Sequence, residues 1–216
     1  MNALKIIEHL QPMEIEKRSF EIISQELAAK NIVLPPEQEL ITKRVIHTSA
    51  DFEYVDTLKY SKNSVAKAKE LIANGADIVT DTNMALSGIN KKKLGNFGGQ
   101  VHCFMADETV AKLAKERKTT RAAVSMEFAS KIEKPVIFAI GNAPTALIQL
   151  YEMIQQDLYK PAFVIGVPVG FVNVEVAKEL IMETDVPFIV NKGRKGGSNI
   201  AAAICNALIY SMTDRE

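Results

Sequence analysis

The chain has 216 residues, enough for one large domain that buries roughly 70 to 75% of its unfolded surface. Its 26 Lys plus Arg balance 26 Asp plus Glu, and 47% of its residues are hydrophobic, which excludes a disordered chain and argues against nucleic acid as a partner. The 2 cysteines, Cys103 and Cys205, stand far apart in apolar stretches without metal-ligand spacing, so they read as buried free thiols.

Charges interrupt the first twenty residues too often for a signal peptide. No run reaches the ~20 apolar residues that a membrane span needs, and the expected location is the cytoplasm. Helical periodicity covers residues 15–30 and 37–46, with LPPE between them as a loop whose prolines let the second helix begin. A charged stretch, residues 62–73, precedes a short strand at 76–80, and the Gly-rich LGNFGGQ precedes another at 101–104. Another helix is expected over 119–131. Three apolar runs then follow, PVIFAIGNAP, PAFVIGVPVG and PFIVNKGRKGG, with Pro135, Pro161 and Pro187 each 26 positions after the last. That interval holds a strand, a turn and a helix of three to four turns, and the final helix covers 198–210. Near-continuous apolar strands alternating with helices predict an α/β fold. We expect one domain over residues 1–216, a doubly wound, mostly parallel sheet of about five strands with helices on both faces.

Ligands of open α/β sheets bind beyond the carboxyl ends of the strands, which draws attention to the turns after the three proline-led strands. In Gly141-Asn142-Ala143-Pro144-Thr145, glycine permits an unusual turn, Pro144 suits the first helical turn, and the remaining N–H groups are expected to face the crevice. Gly166, Gly170, Gly193, Gly196 and Gly197 similarly keep amides clear of side-chain bulk, as an anion site requires. Lys192, Arg194 and Lys195 add cations and Arg121 stands at a helix start. Any one lysine reads equally well as a solvated loop residue, whereas Arg194, between glycines, and Arg121 read as carboxylate-binding forks. None of the turns spells GxGxxG or GxxxxGK[ST], so a nucleotide is the weaker alternative.

Of the three histidines, His9 reads as exposed and His102 as a hydrogen-bonded structural residue. His47 ends a helical stretch in RVIHTSAD, where two hydroxyls and Asp51 are expected to orient its imidazole as a general acid or base; the bland reading is a residue favoured by the helix dipole. Asp81 could orient substrate or His47, or cap a helix; Asn142 and Asn173 could also be caps, and Thr82 and Asn83 are weaker candidates.

The segments IEKRSFEII, RVIHTSAD, GADIVTDTNMALSGI, TTRAAVSM, VIFAIGNAPTALIQLYEMI, PAFVIGVPVGFVNVEVAKELI and VPFIVNKGRKGGSNIAAAICNALI resemble the precorrin-8X methylmutases, including the cobalt-precorrin-8 form. The likeness spans about residues 14 to 209. It implies a homodimeric isomerase of corrinoid (cobalamin) biosynthesis that moves a methyl group from C11 to C12 of precorrin-8 or cobalt-precorrin-8, giving hydrogenobyrinate or cobyrinate. Neither redox partner, methyl donor nor organic cofactor is implied, and any cobalt would be held by the substrate ring. The resemblance makes His47 the essential acid and places Arg18, Ser19 and Arg121 at the substrate. An imidazole, with a reference pKa of about 6.5, suits proton donation to a ring nitrogen at neutral pH. Precorrin-8 joins acetate and propionate carboxylates to an apolar macrocycle. The receptor it needs matches the turn residues Asn142, Ala143, Pro144, Thr145, Gly193, Arg194, Gly196 and Gly197 at the rim, with Val167, Val169, Phe171 and Val172 as an apolar floor. The apolar surplus of IAAAICNALIY suggests a surface for the second subunit. A corrinoid carrier without catalysis, or a nucleotide-dependent enzyme on the same fold, are the competing readings.

Overall fold

The computed structural model describes residues 8–213, so the start of the N-terminal segment read above as lacking a signal peptide lies outside the described residues. In chain order come α1 (Pro12–Ala29), α2 (Pro36–Ser49), α3 (Tyr54–Thr57), β1 (Leu58–Tyr60), α4 (Ser64–Ala73), β2 (Asp77–Thr80), α5 (Asn83–Gly88), α6 (Lys91–Gly95) and β3 (Val101–His102). Then follow α7 (Glu108–Glu116), α8 (Arg121–Ala129), β4 (Val136–Ile140), α9 (Pro144–Gln155), β5 (Phe163–Gly166), α10 (Val174–Met182), β6 (Phe188–Asn191) and α11 (Ser198–Tyr210).

The strands form one six-stranded sheet in the order β1-β6-β5-β4-β2-β3. Five run parallel, and these are the five expected. The sixth, β1, pairs antiparallel with β6 through Leu58 opposite Asn191. Three residues give too little alternation to announce a strand. As an edge strand it exposes Lys59, a common guard against edge-to-edge pairing.

The central strand β4 is buried at every position, which is why its sequence is apolar without alternation. Ile137 and Ala139 point to one face, against Val45 and Ile46 of α2, Ala68 of α4 and Ile204 and Leu208 of α11. Val136, Phe138 and Ile140 point to the other, against Met126 of α8, Leu147 of α9 and Ile181 of α10. The double winding therefore follows from strand side chains that need cover on both sides.

The final helix corrects one expectation. Ile200, Ala201, Ile204, Cys205, Leu208 and Ile209 are all buried within this subunit, so the apolar surplus of α11 serves its own core and does not form an outer surface. Cys205 is buried as expected, while Cys103 is only half-buried. No helix among the described residues is long and apolar enough to cross a membrane.

Candidate active site

The order of winding reverses between β2 and its parallel neighbour β4, and the carboxyl ends of these two strands open the site. Thr80 leads to Asp81, which is wholly buried. Its carboxylate accepts the backbone N–H groups of Gly141 at 2.9 Å, Asn142 at 2.8 Å and Ala143 at 2.5 Å. Burial pushes the Asp81 carboxyl above its ordinary pKa, against the three amides that favour its charged form. The expectation of free amides in the β4–α9 turn is thus corrected at these three residues, because an internal carboxylate already occupies that cradle. Nor does Asp81 cap a helix: Thr82 caps α5 by accepting from Ala85 N. Pro144 opens α9 as expected, whereas neither Asn142 nor Asn173 supplies a side-chain cap.

Thr82 Oγ1 also meets Ser198 Oγ at 2.8 Å, tying the β2 turn to the first residue of α11. Thr145 lies at the start of α9 and accepts from Thr120 Oγ1 at 2.8 Å. Thr120 in turn caps α8 through Ala123 N. The N-termini of α8 and α9 are therefore side by side, with Arg121 exposed at the first position of α8.

The turn after β6 is held from below by Lys178, a residue on the buried stripe Val174, Ala177, Lys178 and Ile181 of α10. Its ammonium donates to Gly193 O at 2.6 Å and Lys195 O at 2.9 Å. Burial lowers its pKa to about 8. Lys178 is not among the residues expected at the site, although a lysine at helical spacing within an apolar stripe is a legible signal. Gly196 lies so close to β5's outgoing strand that a Cβ would fall 2.0 Å from Val167 O. The Arg194 side chain is exposed, donates to Glu175 Oε1 at 2.8 Å and lies 5.5 Å from the Phe171 ring centroid. Val169, Phe171 and Val172 are exposed beside it, but Val167 is buried and can form no part of an exposed apolar floor. Lys195 bridges Asp51 at 2.5 Å and Glu53 at 2.7 Å, and holds the Asp51 carboxyl below its ordinary range.

That bridge corrects the expected environment of His47. Asp51 faces Lys195, while Thr48 Oγ1 donates to Arg44 O and Ser49 Oγ to Val45 O, as helix hydroxyls commonly do. The exposed His47 ring instead tilts against Phe20 at a centroid distance of 5.5 Å. It lies between two clefts. One is lined by Ser19, Ile22, Ile46 and Phe52, and the other by Arg44, Asn199, Ala202 and Asn206. Ser19 is spent on Ile15 O, and Arg18 pairs with Glu8 at 2.8 Å. Structure thus brings Ser19 to His47, Arg121 to Thr145, and Arg194 to the exposed apolar loop; no hydrogen bond or ion pair among the described residues joins these three groups.

His9 is exposed, and His102 is structural as expected, with Nε2 at 2.9 Å from Asp77 Oδ2 near the amino end of β2. No cluster of three His, Cys, Asp or Glu side chains able to hold a metal ion occurs among the described residues.

Residues 14–211 match the family model described as precorrin-8X methylmutase. A cobalt-precorrin-8 methylmutase of Priestia megaterium is 42% identical over 92% of this chain and 88% of its own. One from Salmonella typhimurium is 41% identical, covering 94% of this chain and 97% of its own. A solved precorrin-8X methyl mutase from Thermus thermophilus superposes with a TM-score of 0.81 at 38% identity, covering 91% of this chain and 96% of that one.

Proposed function

This chain belongs to the precorrin-8X methylmutase family of isomerases, and from that premise we propose that it moves a methyl group from C11 to C12 of precorrin-8 or cobalt-precorrin-8 in corrinoid biosynthesis. The observation that carries this reading is the family match over residues 14–211, which spans all three site groups. Competing readings as a carrier or a nucleotide-dependent enzyme have no comparable support.

The reaction is an internal rearrangement. The bond from C11 to the methyl carbon breaks as the bond to C12 forms, with no net oxidation and no external methyl donor. An organic cofactor is not needed, and cobalt, where present, belongs to the substrate. His47 is the proposed acid: hydrogen bonding or proton transfer to a ring nitrogen draws electron density through the conjugated system as the methyl migrates. Its exposure between two clefts supports this role, since the donor must reach a large ligand. Arg121, Thr145 and Arg194 are the proposed receivers of rim carboxylates, a reading supported by the exposure of both arginines, and the exposed Val169, Phe171 and Val172 offer apolar area to the macrocycle. Arg18 and Ser19, with Asn142, Ala143, Pro144, Gly193, Gly196 and Gly197, complete the proposed contacts.

The proposal includes a homodimer and a cytoplasmic location. Exposure of Phe171 at 81% and Val172 at 78% supports partner or ligand cover over that loop. A stable monomer on sedimentation at micromolar concentration would remove the dimer. The direct functional test is incubation of the purified protein with precorrin-8 while the visible spectrum is followed, since migration changes ring conjugation. An unchanged spectrum with intact, folded protein overturns the proposed reaction.

A further inference from the structure

Two buried side chains of opposite kind, an acceptor and a donor, hold the two turns at the carboxyl edge of the sheet, and they leave opposite backbone groups free. Asp81 takes the N–H groups of Gly141, Asn142 and Ala143. Lys178 takes carbonyls instead, those of Gly193 and Lys195. Asn191 Nδ2 adds a second bond to Lys195 O at 2.8 Å, so that oxygen accepts two inward donors.

The peptide bonds here are trans, and a trans peptide points its N–H opposite to its C=O. With Gly193 O aimed at the buried amine, the N–H of Arg194 points away from it. With Lys195 O aimed the same way, the N–H of Gly196 also points away. Neither N–H has an acceptor among the described residues, although the neighbouring groups are committed: Gly197 N donates to Val167 O at 2.9 Å and Arg194 O accepts from Gly170 N at 3.1 Å. Gly196 is partly open to solvent, and the absent Cβ removes the bulk that would otherwise force it off Val167. Two amides turned away from the buried amine, beside an exposed guanidinium, are a donor set that suits an anion.

We propose that Lys178 is a positioning residue for substrate, turning peptide units 193–194 and 195–196 so that the N–H groups of Arg194 and Gly196 receive a carboxylate of the corrinoid. This rests on the functional reading above for the nature of the ligand. It divides labour between the turns: the β6–α11 turn binds the anion through its backbone, while the Asp81-filled β4–α9 turn contributes side chains and shape. The carboxylate would compete with Glu175 for the Arg194 guanidinium.

The test is a titration of ¹⁵N-labelled protein with hydrogenobyrinate, the product expected of the metal-free reaction. At saturation the amide protons of Arg194 and Gly196 should move downfield while those of Gly141, Asn142 and Ala143 stay in place. In Lys178→Met both shifts should disappear, binding should weaken about tenfold or more as a charge-assisted contact is lost, and KM should rise more than kcat falls. Lys178→Arg, which keeps donors for the two carbonyls, should restore part of the shift and the affinity. A general loss of structure would instead move kcat and KM together and would not respond to arginine. Saturable binding with both amides unmoved overturns the proposal and leaves the functional reading standing. A Lys178→Met protein that keeps both shifts does the same. Absence of both binding and turnover in the wild type overturns the functional reading and this inference with it. Should Lys178→Met fail to fold, the wild-type amides and Lys178→Arg decide: unmoved amides, or a folded arginine variant that loses both shifts, overturn it.

Discussion

Gly141 packs against the first residue of α11, and the Cβ it lacks would fall 2.7 Å from Ser198 Cα. Gly197 O and Ser198 N would both lie at 2.8 Å from the same carbon, so all three obstacles are backbone. Gly141→Ala should therefore destabilise the fold by about 1 to 3 kcal/mol, the usual cost of overpacking. Urea unfolding checks this, and an unchanged midpoint would show that α11 can move aside freely.

Asp81→Ala should be costlier. It strips the acceptor from three N–H groups in a buried turn, and each orphaned donor costs about 1 to 3 kcal/mol unless water enters. A loss of at least about 3 kcal/mol is expected. Asp81→Asn should recover only part, because its amide nitrogen turns a donor toward donors. Equilibrium denaturation of the two variants is the check, and equal stability of asparagine and wild type would contradict it.

Lys178 makes a pH prediction with a definite sign. Its folded pKa of about 8 lies below the ordinary lysine value, because burial penalises the charged form. Between the two values the unfolded chain holds the proton that the native chain has released, so this residue's contribution to stability improves as pH rises through that window. Its full penalty applies below pH 8. Measured from pH 7.5 to 10, the stability of wild type relative to Lys178→Met should rise by up to about 3 kcal/mol. A flat difference would mean that the amine titrates normally.

His47→Ala should fold and still bind the corrinoid, because the side chain is exposed and accepts or donates no hydrogen bond among the described residues. Turnover should fall by at least about a hundredfold, the lower bound for general acid catalysis. Single-turnover absorbance separates binding from chemistry; full turnover in the variant would remove His47 as the acid.

Arg121→Ala and Arg194→Ala should each weaken corrinoid binding by about tenfold or more, through loss of a charge-assisted contact. Lysine should recover only part at either site, because the planar fork is gone. Arg194→Ala also frees Glu175, which then repels a nearby carboxylate, so Glu175→Gln should strengthen binding in the wild-type background. Fluorescence or absorbance titration with hydrogenobyrinate measures both effects, and unchanged affinity excludes that arginine from the ligand.

The sequence by itself determined the five parallel strands, the helices α1, α2 and α8, and the helices after the three proline-led strands, since apolar runs such as VIFAI, prolines at strand and helix starts, and helical periodicity are local signals that packing then reinforces. It also carried the family, because GNAPTAL, GVPVGFV and GRKGGS keep their order and spacing. Tertiary structure alone decided how those turns use their polar groups. Asp81 and Gly141 are 60 positions apart and Thr82 and Ser198 are 116 apart, and no local pattern says which donor a carboxylate will meet. The hydroxyls around His47 return to their own helix, Asp51 goes to Lys195, and α11 spends its apolar side chains on its own subunit. The strand β1 is fixed in the same way, by an antiparallel bond to β6 more than a hundred residues later in the chain. Propensity and spacing act between near neighbours, whereas satisfying a buried charge or an open strand edge depends on whichever distant group the fold delivers.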